Sequence, residues 1–60
     1  MRHLIGTCTD EQFVEQLFGS VSEFARQVEL HGDNFFYGSF NQQVEVVYDE
    51  AIDVHSFYQS

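Results

Sequence analysis

Three histidines, one cysteine and ten carboxylates are the groups in this 60-residue chain that could do chemistry. A metal site needs three or four such ligands around one point, and nucleophilic catalysis needs a thiol or hydroxyl within reach of a base. His3 precedes Cys8 by five residues, His31-Gly32-Asp33 sets an imidazole beside a carboxylate, and His55 stands apart. None of these spacings is that of a metal site, or of a nucleophile and base on one scaffold. The histidines are expected at the surface, with His31 well placed near a helix C-terminus. Cys8 has no basic neighbour in sequence to lower its pKa, so it is expected as a small buried or cap-adjacent residue. Paired carboxylates could serve glycoside hydrolysis, but a chain this short has no room for both a core and a substrate cleft of ~300 Å³ or more. Gly6, Gly19, Gly32 and Gly38 form no phosphate-binding loop. The expectation is a binding protein, not an enzyme, without cofactor or metal.

Charge is the stronger signal. Ten Asp and Glu face only Arg2 and Arg26, lysine is absent, and the formal net charge is −8. Such a field repels nucleic acid and anionic lipid and attracts basic surfaces. The expected partner is therefore a basic protein, in the sharpest form a nucleic-acid-binding protein or enzyme that the carboxylates inhibit or modulate as a mimic of the DNA phosphate backbone. The expected partner-binding acids are Glu11, Glu15, Glu45, Asp49, Glu50 and Asp53. The bland alternative is that the acid only solubilises a homodimeric structural or regulatory domain.

No apolar run approaches the ~20 residues of a membrane span, the N-terminus lacks the regions of a signal peptide, and a lone thiol suits a reducing compartment. A cytoplasmic location is expected.

These groups must be positioned by a single domain over residues 1–60, since the length leaves room for one core. The 43% hydrophobic content, with seven Phe and three Tyr, favours folding over disorder. Arg2 to Thr7 fits a short strand. Thr9 reads as a helix N-cap with Gln12 completing a capping box. Val14, Leu17, Val21, Phe24 and Val28 then recur at helical steps, flanked by Phe13, Phe18 and Ala25, and His31-Gly32 supplies the stop. One helix from Asp10 to Leu30 is expected. Gly19-Ser20 offers a break with a second capping box at Ser20 and Glu23, but the apolar stripe runs through it without a change of phase. Ser22 to Val28 has the flavour of a helix-turn-helix element, yet no basic recognition helix follows it.

The rest reads as strands: Asn34 to Phe40, Gln43 to Tyr48 and Ala51 to Tyr58, with turns at Asn41-Gln42 and Asp49 to Ala51. A short helix from Asp49 is the alternative for the last segment, and its β-branched alternation favours a strand. This turn placement pairs Tyr37 with Val46, Phe35 with Tyr48, Val46 with Val54 and Tyr48 with Ile52. The helix-facing side would then carry Phe35, Tyr37, Val44, Val46, Tyr48, Ile52, Val54 and Tyr58. The opposite side would carry Phe36, Phe40, Val47 and Phe57 beside Glu45, Asp53 and His55. With nothing left to cover them, those four apolar residues are the expected dimer interface. The expected fold is α+β, in the order β-α-β-β-β, with one helix packed on one face of an antiparallel sheet.

Overall fold

The chain folds as expected into α+β, with helices on one face of an antiparallel four-stranded sheet. The structure is a computed structural model that describes residues 2–39 and 42–60. Strand β1 (His3–Thr7) is followed by α1 (Glu11–Phe18), α2 (Val21–His31), β2 (Phe35–Ser39), β3 (Gln42–Asp49) and β4 (Val54–Gln59). The sheet order is β1-β4-β3-β2, so the N-terminal strand closes the sheet against the last one.

Two helices stand where one was expected, and the local chemistry explains the break. Gly19 sits at φ 96°, a left-handed conformation that glycine takes without penalty, and its N–H donates to the Glu15 carbonyl at 2.8 Å. Ser20 starts again at once, its hydroxyl accepting from the Glu23 N–H at 3.0 Å. After the break, Phe24 returns to the core while Val21 and Ala25 are exposed. The N-cap of α1 also differs from expectation. Thr9 is engaged with the Thr7 hydroxyl, 2.6 Å away, and the charged Asp10 accepts from Phe13 N–H at 3.1 Å instead. A carboxylate at that position is favoured by both the orphan N–H groups and the dipole.

The core joins Val14, Leu17 and Phe18 of α1 to Val44, Val46 and Phe57 of the sheet. Phe57 is its hub: it is fully buried, with the rings of Phe13, Phe24 and Phe18 at 5.3, 5.6 and 5.8 Å. At those separations aromatic pairs add to the area they bury. Gly6, across from Phe57 in β4, lies directly under the Phe13 ring, where a Cβ would sit only 2.8 Å from ring carbons.

Register decides which residues share that core. Between β2 and β3, Phe35 pairs with Val46 and Tyr37 with Val44, two positions from the expected partners. An even displacement keeps every side chain on its face, so Phe35 and Tyr37 still look inward. Gln42, expected in the turn, is instead the first residue of β3 and pairs with Ser39, while Phe40 and Asn41 lie outside the described residues. Between β3 and β4 the displacement is odd: Val46 pairs with Phe57 and Tyr48 with His55. Every β4 side chain therefore changes face relative to expectation. Phe57 is core, not interface, and Tyr58 and Val54 look outward. The cause is a four-residue loop, Glu50 to Asp53, in place of a three-residue one. Asp49 Oδ1 accepts from Ala51 N–H at 3.1 Å, Asp53 adopts φ 54°, and the Tyr48 hydroxyl donates to Asp53 Oδ1 at 2.8 Å. Aspartate tolerates the left-handed region better than most residues.

Candidate functional site: an acidic end and a bare sheet face

Antiparallel pairing brings four chain segments to one end of the sheet. Thr7 lies beside Ser56, and the Cys8 N–H donates to the His55 carbonyl at 2.9 Å, so the turn into α1 sits by the start of β4. The end of β3 meets the start of β4 through the Asp49–Val54 pair. Asn34, just before β2, accepts from Tyr48 N–H at 3.1 Å through its side chain. This end therefore collects Asp10, Asp33, Asp49, Glu50 and Asp53, all exposed. Among the described strand residues at the opposite end, the starts of β1 and β3 and the end of β4 carry Arg2, His3, Gln43 and Gln59 and no acid.

The electrostatics follow this arrangement. The Tyr48 hydroxyl is raised in pKa first by its hydrogen bond to Asp53, with the charges of Asp53, Asp33 and Glu50 adding to it. Both arginines are engaged elsewhere. Arg26 reaches Glu23 at 2.6 Å and holds that carboxyl below its usual range, and Arg2 pairs with Glu45. Eight carboxylates are left without an arginine.

Of the acids singled out from sequence, Asp49, Glu50 and Asp53 come together in one loop. Asp49 and Asp53 each also hold that loop through a hydrogen bond. Glu11 and Glu15 are exposed on α1, Glu15 beside a shallow polar depression lined by Gln12, Gln16 and Gly19. Glu45 does not join them: it lies on the bare face of the sheet, bound to Arg2. Asp10 and Asp33 were the acids missed. Strand pairing brings both to this end, Asp10 through β1 beside β4 and Asp33 through Asn34 beside Tyr48.

The remaining chemistry-bearing groups are held structurally. Cys8 is half-buried and free, and its Sγ accepts from the His55 main-chain N–H at 3.3 Å. The His55 ring lies between Phe24, edge-on at 5.1 Å, and Tyr48 at 4.6 Å. Burial there lowers its pKa below the usual value, against the opposing charges of Asp33 and Asp53. Its Nε2 is buried with no hydrogen-bond partner. That placement departs from the surface position expected of it. Among the described residues, no three His, Cys, Asp or Glu side chains are placed to hold a metal ion. Nor is any helix among them long and apolar enough to cross a membrane.

The face of the sheet away from the helices has its own composition. One row across all four strands reads Leu4, Tyr58, Glu45, Phe36. Phe36 is 66% exposed and Leu4 54%. Arg2 spans this row, pairing with Glu45 while its guanidinium lies 4.5 Å from the centre of the Tyr58 ring. Val47 and Val54 flank it, half-buried. Of the expected interface set, Phe36 and Val47 are on this face, Phe57 is not, and Phe40 lies outside the described residues. No family model matches this chain, and no curated protein or solved structure shows significant similarity to it.

Proposed function

We propose that the protein is a non-catalytic, cytoplasmic binding module that offers the carboxylates at one end of its sheet to a basic surface on another protein. The observation that carries this reading is the gathering of Asp10, Asp33, Asp49, Glu50 and Asp53 on neighbouring loops, with both arginines engaged elsewhere. Loop carboxylates that no arginine neutralises keep their field for a partner, and such a field speeds association and sets specificity. In its sharpest form the acidic end substitutes for nucleic-acid phosphates and inhibits a protein that binds them.

The test is capture of partners from lysate at low and high salt, followed by competition with labelled duplex DNA. Glu50→Lys combined with Asp33→Lys reverses charge at two exposed positions that make no hydrogen bond within the loop. The double variant is expected to keep its melting temperature and lose the salt-sensitive partner. DNA is expected to be displaced when the wild type binds. Capture unaffected by charge reversal would overturn the acidic-end reading, and a partner that holds DNA and this protein together would overturn mimicry.

A further inference from the structure

We infer that the bare face of the sheet is the interface of a two-fold homodimer, in which the strands of the two copies run in opposite directions. The first support is charge. On a chain of net charge −8, this face carries one cation and one acid at its centre, Arg2 and Glu45, already paired. The other carboxylates lie on the helices, on the loops, or, for Asp49, at the rim of the face. A second copy is therefore met by a neutral surface, which a strongly basic partner would have no reason to prefer.

The second support is the separation of charge along the strands. Acids gather at one sheet end, and Arg2 and His3 stand at the other. With a two-fold axis lying across the strands, each acidic end faces the opposite end of its mate, and the two acidic ends are far apart. An axis along the strands would stack them together. Such an interface is isologous: each Arg2–Glu45 pair meets the same features on the other copy.

Size is the third support. The molecule measures 24 × 24 × 21 Å, so one whole face projects on the order of 600 Å², close to the ~800 Å² per partner of a standard interface. Phe36 and Leu4, both more than half exposed, would anchor the interface at its two edges, on β2 and β1, with Tyr58, Val47 and Val54 between them.

The experiment is sedimentation of the wild type across the micromolar range at low and moderate salt, beside Phe36→Asp and Arg2→Glu. The wild type is expected to dimerise, no more weakly in moderate salt than in low salt. Both variants are expected to weaken the dimer at least about tenfold, by adding charge to a face that must be neutral, while far-ultraviolet circular dichroism shows the fold retained. Glu50→Lys, at the acidic end, is expected to leave the dimer intact, which separates this inference from the partner-binding one. A wild type that stays monomeric throughout, or a folded Phe36→Asp variant that dimerises like the wild type, overturns the proposal and leaves the face to a different protein.

Discussion

Glu45 and Val46 are neighbours in one strand and belong to two different surfaces. Val46 is sealed under the helices beside Phe57 and Val44, in a layer made almost wholly of hydrocarbon and aromatic rings. Glu45 stands on the other side, tied to Arg2 and level with a phenylalanine that is two-thirds exposed. Strand alternation creates both surfaces at once, but among the described residues only one has a partner within the chain. The stability of the single chain should therefore reside on the helix side, and the other side should be nearly free to change. The contrast also shows that acidity here is patterned: it is absent from the buried face of the sheet, is met by Arg2 where Glu45 stands on the other face, and is concentrated on the loops at one end.

The largest expected effect tests that contrast directly. Phe57→Ala should destabilise by about 3–5 kcal/mol, as truncation of a fully buried ring does. Phe36→Ala, measured by urea denaturation at a concentration too low for association, should stay within about 0.5 kcal/mol. Equal losses at the two positions would show that the bare face is part of the monomer's stability. A smaller effect is expected where the sheet meets the helix. Gly6→Ala would put a methyl against the Phe13 ring, and tilting that ring disturbs its contact with Phe57. A loss of about 1–3 kcal/mol is expected from such overpacking, and an unchanged melting temperature would show that the ring moves freely.

The smallest effect concerns His55. Its pKa in the folded state is lowered by burial, so the unfolded chain takes up the proton more readily. Stability should be unaffected well above the ordinary histidine value of about 6.5, and should be lost as pH falls through that value toward the folded pKa. Acidification also relieves carboxylate repulsion, which affects wild type and variants alike, so the informative quantity is a difference. His55→Phe keeps the ring contacts and removes the titration. Relative to that variant, the wild type should weaken between pH 7 and pH 5.5, and parallel pH profiles would show that His55 is solvated.

How much of this was legible in the sequence varied by segment. Helical periodicity from Val14 onward was plain because the stripe is built of large apolar residues at steps of three and four. The break at Gly19 was written there too, in a glycine followed by a serine and, three positions on, a glutamate. The unbroken phase of the stripe argued against it, and phase proved the poorer guide, since Val21 is exposed. The inward faces of β2 and β3 could be read because an even error in register leaves faces unchanged. That of β4 could not, because one extra loop residue, stabilised by Asp53 in a left-handed conformation, turns the strand over. The turn acids Asp49, Glu50 and Asp53 were visible as a group from their closeness in sequence. Asp10 and Asp33 join them only through strand pairing, which no local pattern reports. Arg2 reaching Glu45 was hidden for the same reason.

The place of β1 in the sheet has a consequence for synthesis. The two helices, and the hairpins β2–β3 and β3–β4, each join segments that follow one another in the chain. β1 is different: Cys8, just past its end, meets His55 across 47 positions, and among the described residues the strand pairs with β4 alone. On the ribosome β1 emerges before both helices and β2 and β3, and its partner β4 after them. Leu4 and Ile5 must therefore wait, unpaired, until both helices and β2 and β3 have been added. Closing so long a loop carries a large entropic cost, and until it closes β4 is left with an open edge that invites pairing with another chain. This domain's period of greatest exposure to aggregation is thus set by the order of its strands, and it ends when β1 finds β4.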